Sequence, residues 1–211
     1  MADVLKEVIE HRFPRLLAMG VDYNDAKSIC SRLQRMEDWP KEWEAVGDVH
    51  EELGNKALRE GNNITAGEAF ARAAVYFQAA QSVIFNREEK RRLQERRQSV
   101  SQTGLPYYVP PGRPIEIPFE GITFLGNLRL PLHRSGPAPC VLLNAGADST
   151  KEEFYMLENE FLKRGLATFA FDGPGQGLTW WKMKMRPDYE KPISAVIDVL
   201  TRLPEIDGSR I

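Results

Sequence analysis

The sequence predicts an α/β protein in two parts, an all-helical front domain followed by a sheet that opens with a hairpin and continues as parallel βαβ units. Three observations carry this. Up to about Arg97 apolar residues recur at spacings of three and four, the helical period. From Gln102 to Pro114 prolines and glycines break the pattern. Beyond that stretch short apolar runs alternate with amphipathic segments, the order that gives parallel pairing through right-handed crossovers. The helical domain is placed at residues 1–103 and the sheet domain at 104–211.

Asp38-Trp39-Pro40 marks one helix start, because proline is tolerated in a first turn. Trp43, Val46, His50, Leu53 and Ala57 form the apolar stripe behind it. Gly61-Asn62-Asn63 reads as a turn. Thr65 with Glu68 reads as a capping box, placing the next helix start just after Asn63. Ala66, Phe70, Ala73, Phe77, Ala80 and Ile84 form its stripe. Arg87 to Arg97 carries dense charge of both signs, which predicts a solvated face laced with local ion pairs rather than a basic binding patch.

In the second part Ile115 to Phe119 alternates, Glu120-Gly121 is a tight turn, and Ile122 to Leu130 alternates again, a hairpin pattern. Cys140 to Leu143 is wholly apolar, as expected of a strand covered on both faces. A helix follows from Lys151 to Arg164, with Phe154, Leu157 and Phe161 on one side. Thr168 to Phe171 is the next strand. Tyr189 to Leu203 is the next helix, with Ile193, Val196, Leu200 and Leu203 in register. Asp207-Gly208 is a turn, and Arg210-Ile211 reads as the start of one more strand.

The formal net charge of −2 argues against nucleic acid as a partner. Cys30 and Cys140 form neither a disulfide framework nor a metal-ligand spacing and read as buried, reduced thiols. No apolar run approaches a membrane span, and Met1 to Lys6 has no hydrophobic signal core, so a cytoplasmic location without membrane attachment is expected.

Two loops at strand ends could carry chemistry. Asp172-Gly173-Pro174-Gly175-Gln176-Gly177 follows a strand directly. A dinucleotide fingerprint needs G-x-G-x-x-G running into a helix. Here the third glycine comes one residue too soon, and Trp180 and Trp181 stand where the helix should begin. A tight loop at the carboxyl end of a strand, where α/β sheets place ligands, is the better reading, with no cofactor. Asn144-Ala145-Gly146-Ala147-Asp148 ends the preceding strand. Ser149 with Glu152 and Thr150 with Glu153 are overlapping capping-box patterns. Backbone N–H groups near Ala147 could serve an oxyanion or belong to an ordinary capped turn, and spacing alone favours the turn.

Together, Asp148-Ser149-Thr150-Lys151-Glu152-Glu153 and Asp172-Gly173-Pro174-Gly175-Gln176-Gly177 resemble a branch of the α/β-hydrolase superfamily. That branch includes 2,6-dihydroxypseudooxynicotine hydrolase and fungal pigment-pathway polyketide-shortening hydrolases, and carries a helical N-terminal domain. Ala66-Gly67-Glu68 through Ala73-Ala74-Val75-Tyr76 resembles that domain. The resemblance implies a helical cap-like domain, an incomplete α/β-hydrolase sheet, and a serine hydrolase without metal or organic cofactor. It implies a ketone or ester substrate of moderate size, partly enclosed by the helical domain, with cleavage of a carbon–carbon bond in a β-diketone-like or aryl ketone compound as one option. By the same resemblance Ala147 supplies an oxyanion-hole N–H, with Gly146 giving the close turn. The chain departs from the branch in having Ala145-Gly146 for a Gly-Gly pair and Leu178 where an acidic residue is usual.

The mechanism so implied needs a serine on a G-x-S-x-G elbow, then an acid, then a histidine. No G-x-S-x-G occurs in this sequence. Ile206 to Ile211 resembles the lead-in to the elbow strand, so the chain is expected to end before the nucleophile and to be inactive by itself. His11, His50 and His133 all precede that point. His50 is expected to be packed and hydrogen-bonded, and His133 solvated. An apolar Cys140–Leu143 strand left at a sheet edge would favour association, so a homodimer is possible. The alternative function is a tetratricopeptide-like interaction module. Leu53, Gly54, Ala66, Phe70 and Ala73 fit one such helix pair, but His50, Ala57 and Gln78 do not fit its large positions and about three repeats are needed for a stable array.

Overall fold

The computed structural model describes residues 2–84 and 86–211; the helical reading at Met1 and Phe85 lies outside them. The chain forms two compact units, Met1–Gly104 and Leu105–Ile211.

The first unit is helical: α1 (Ala2–Ala18), α2 (Tyr23–Arg32), α3 (Trp39–Arg59), α4 (Asn63–Gln81) and α5 (Arg87–Gly104). Asp22 caps α2, its carboxylate accepting from the N–H groups of Asn24 and Asp25 at 2.8 and 3.3 Å. Pro40 stands in the first turn of α3 as expected. α4 is the centre of the unit. It is buried on nearly its whole circumference, Ala69, Ala74, Val75 and Gln78 included, and not only along the predicted stripe. Its run of alanines lets neighbours approach closely. On α3 the backbone at Gly47 and Gly54 lies against the Phe77 and Phe70 rings, where a Cβ would come within 2.6 and 2.8 Å. Trp39 adds a hydrogen bond from Nε1 to the Ala79 carbonyl at 2.9 Å.

Some expectations for this unit need correction. Leu53 is 40% exposed and Gly54 takes the inward position, because the helices are too close there for leucine. Thr65 and Glu68 form no capping box: α4 already begins at Asn63, which puts both inside the helix. The charged face of α5 carries a local pair as expected, Arg91 to Glu95 at 2.9 Å, and is also bound to α3, Arg92 reaching Glu44 at 2.5 Å and Arg96 reaching Glu44, Asp48 and Glu51 at 2.7, 2.7 and 2.6 Å. Arg97 is fully buried with Nη1 on Gln78 Oε1 at 3.0 Å. Cys30 is only partly buried, Cys140 fully, and neither forms a disulfide.

The second unit carries β1 (Gly112–Phe119), β2 (Ile122–Arg129), β3 (Cys140–Asn144), α6 (Tyr155–Leu162), β4 (Ala167–Phe171) and α7 (Glu190–Leu200). The sheet order is β1-β2-β4-β3. β1 and β2 are an antiparallel hairpin closed at Phe119–Ile122. Glu120 and Gly121, at φ 43° and 81°, give the left-handed pair that suits a two-residue hairpin. β2 meets β4 antiparallel, and β3 runs parallel to β4, so the sheet is mixed. Every residue of β4 is buried. Ile117, Phe124, Leu128, Phe169, Phe171, Val196 and Leu200 form the core.

The Lys151–Arg164 helix is broken in two. Lys151–Phe154 is a 3₁₀ turn and α6 follows. Three residues per turn in the first segment shift the phase of the second, so Glu158 and Leu162 face inward and Leu157 is 45% exposed. α7 stops at Leu200, and Leu203 packs on the core from the turn beyond. Arg210-Ile211 is not a strand. The Asp207 carboxylate takes the Ser209 N–H and hydroxyl and Arg210 Nε, which holds that backbone in a turn. The segment nonetheless runs beside β3: Ile206 bridges Ala138, and the Cys140 N–H reaches the Arg210 carbonyl at 3.0 Å. Among the described residues no helix is long and apolar enough to cross a membrane.

Candidate active site

The carboxyl ends of β3 and β4 lie side by side, with Asn144 opposite Phe171. Each strand therefore delivers its loop to the same place. The β4 loop, Asp172 to Gly177, is buried throughout. Its backbone turns at Gly175, φ 83°, where a Cβ would also come within 2.6 Å of the Met185 backbone. A 3₁₀ turn over Gly177–Trp181 follows where a dinucleotide site would need a helix. The turn is tied down by Thr179, whose hydroxyl donates to the Asp172 carbonyl at 2.9 Å.

A loop with this much buried backbone needs internal partners, and Asp172 and Gln176 provide them. Asp172 accepts from the Lys151 N–H through Oδ1 and from Lys151 Nζ through Oδ2, both at 2.8 Å. Lys151 Nζ also lies 2.8 Å from Glu152, and all three side chains are almost fully buried. Gln176 Oε1 accepts from the Gly173 N–H at 2.9 Å, Asn144 Nδ2 at 2.8 Å and the Tyr189 hydroxyl at 2.9 Å. Its Nε2 donates to the Ala145 carbonyl and, at 3.3 Å, to the Gly146 carbonyl. Burial raises the Tyr189 hydroxyl pKa above the usual phenol value, so it stays a donor at neutral pH.

The β3 loop is thus gripped at both ends, and its middle is open. Gly146, Ala147 and Asp148 are exposed. The Ser149 N–H turns back to the Gly146 carbonyl at 3.2 Å, and the Thr150 N–H goes to Glu153 Oε1 at 3.2 Å. Among the described residues no acceptor takes the Ala147 N–H. A donor so placed, on a fixed turn at the carboxyl end of a sheet, can receive a ligand oxygen.

The histidines stand elsewhere. His11 and His133 are exposed. His50 belongs to the helical unit, where Nε2 faces Asp25 Oδ2 at 3.3 Å, Nδ1 accepts from Arg72 Nε at 3.4 Å, and the ring lies 4.9 Å from that of Tyr76. Sequence reasoning singled out Gly146 and Ala147 but missed Asn144, Lys151, Gln176 and Tyr189. A glutamine set between two glycines in a short loop that also opens on an aspartate was the available signal.

With the geometry described, similarity to known proteins can be placed on it. Residues 29–211 match the family described as Esterase FrsA-like. The chain is 35% identical over 197 residues to 2,6-dihydropseudooxynicotine hydrolase of Paenarthrobacter nicotinovorans, covering 93% of this chain and 53% of that protein. It is 35% identical over 213 residues to 20-hydroxy-prefusarin hydrolase of Gibberella moniliformis, covering 92% and 51%. The crystal structure of a 2,6-dihydroxy-pseudo-oxynicotine hydrolase superposes with a TM-score of 0.86 at 35% identity, over 94% of this chain and 56% of that one. The chain spans about half the length of the curated relatives it matches. It belongs to the FrsA-like esterase family of α/β-hydrolases.

Proposed function

We propose that this chain is part of a serine hydrolase, and that its contribution to the chemistry is one arm of the oxyanion hole, the N–H of Ala147 on the turn made by Gly146. The observation that carries this is the exposed Gly146–Ala147 turn at the end of β3, held by a buried loop at the end of β4. In the complete protein a serine hydroxyl attacks the substrate carbonyl and a histidine takes its proton. The carbonyl oxygen gathers negative charge and accepts a hydrogen bond from Ala147. Collapse of the intermediate releases an alcohol from an ester, or a protonated carbon from a β-diketone or aryl ketone. Water then frees the carboxylic acid. Relatives named as hydrolases of pseudooxynicotine and prefusarin compounds favour a ketone or ester of moderate size, with carbon–carbon cleavage as the more specific option. The tetratricopeptide-like alternative gains no support, since α4, one helix of the pair with the matching pattern, is buried on nearly its whole circumference beyond its first turn.

The test is to incubate the complete protein with panels of aryl esters and β-diketones and to identify products by mass spectrometry. Release of a carboxylic acid, with stoichiometric fluorophosphonate labelling of one serine, is expected. No turnover of either panel and no labelling would overturn the proposal. The 211-residue polypeptide, which contains no G-x-S-x-G, should remain unlabelled.

A further inference from the structure

We infer that Gln176 is the positioning residue that sets the oxyanion donor. The inference rests on the reading of Ala147 just given and extends it to the residue beneath. A peptide N–H is aimed by the peptide plane it belongs to, and the plane that carries the Ala147 N–H also carries the Gly146 carbonyl. Fixing that carbonyl fixes the donor. Gln176 Nε2 lies 3.3 Å from the Gly146 carbonyl oxygen and also bonds the preceding carbonyl, of Ala145. Two successive peptide planes are therefore held by one amide group.

The amide is itself locked. Its oxygen receives Gly173 N–H, Asn144 Nδ2 and the Tyr189 hydroxyl, so the NH₂ must point at the β3 loop. A flipped amide would put its oxygen against two carbonyls and its NH₂ against three donors. Gln176 is 1% exposed, so water does not compete for these bonds. Asp172 adds a second anchor at Lys151, four residues past Ala147. The Asp172–Gly177 loop, which resembles a phosphate-binding loop in its glycines, here acts on its neighbour's backbone rather than on a ligand. Preorganised donors cost no reorganisation when charge develops, and this clamp is how the fold would supply that preorganisation.

The test compares variants of the complete hydrolase on one substrate, at a temperature where circular dichroism shows each to be folded. Gln176→Glu keeps the size and the acceptor side but replaces the two donors with a carboxylate oxygen. It should lower kcat about 10- to 100-fold, the scale of a misplaced catalytic group, with KM changed little. Tyr189→Phe removes one of the bonds that orient the amide, and should lower kcat by a smaller factor, again without raising KM. It also provides a reading should Gln176→Glu fail to fold. Ala147→Pro deletes the donor itself and should lower kcat about 100-fold or more. If Ala147→Pro lowers kcat while Tyr189→Phe and a folded Gln176→Glu leave it unchanged, the positioning role is overturned and the oxyanion reading stands. A rise in KM at constant kcat in either clamp variant also overturns it. If Ala147→Pro leaves kcat intact, the oxyanion reading itself falls.

Discussion

Lys151 shows how one residue can hold a local structure together. Its ammonium lies 2.8 Å from both Asp172 and Glu152, with all three side chains at most 5% exposed. Removing one partner of such a group strands the others without solvent. Lys151→Met is expected to cost about 3–5 kcal/mol in chemical denaturation. Asp172→Asn, which keeps an acceptor for the Lys151 N–H, should cost less. His50 is a second case, with a pH signature. Its pKa is held below the ordinary value first by burial, against the Asp25 hydrogen bond that raises it, with Arg72 lowering it further and Asp22 opposing. Nδ1 accepts from Arg72, so the neutral ring carries its proton on Nε2, towards Asp25. The Tyr76 hydroxyl shares that carboxylate at 2.6 Å. The unfolded chain takes up a proton near pH ~6.5 and the folded one only at lower pH. The stabilisation is therefore full above that value and is lost as pH falls through the folded pKa. His50→Gln should flatten the drop in melting temperature between about pH 7 and 5, as followed by circular dichroism, relative to the unchanged protein.

At the scale of elements, the α3–α4 contact depends on the absence of side chains. Gly54 leaves room for the Phe70 ring and Gly47 for that of Phe77. Gly54→Ala should destabilise by about 1–3 kcal/mol through overpacking. Combining it with Phe70→Leu should recover part of that loss, a coupling that a double-mutant cycle in denaturant would reveal. The sequence showed the apolar periodicity of both helices but placed Leu53 inward. Periodicity marks a face to within about one position. Which residue on that face meets the neighbour depends on interhelical distance, which is not written in either helix alone. The same holds for α6. Phe154, Leu157 and Phe161 are correctly spaced for one helix, but a 3₁₀ turn over Lys151–Phe154 resets the phase.

At the scale of the whole molecule, β3 lies at one end of the sheet. The 206–210 segment covers only its start, through Ala138 and Cys140. Unpaired strand edges recruit other strands. The 211-residue polypeptide is therefore expected to self-associate with rising concentration in sedimentation velocity, and Val141→Lys, placing a charge on β3, should suppress it. A single monomeric species at all concentrations would remove the basis for a homodimer.

Sequence by itself determined the helical first part, the hairpin at Glu120-Gly121, the apolar β3 and β4, and the two loops whose residues carry the family resemblance. These follow from period, turn chemistry and local motif, all of which act over a few residues. Tertiary structure decided what the loops do to each other. Gln176 and Ala145 are 31 residues apart in the chain, and no local pattern pairs them. Only the parallel register of β3 on β4 brings the buried glutamine amide beneath the exposed Ala147 turn, because a backbone carbonyl cut off from water must find a donor wherever the fold provides one.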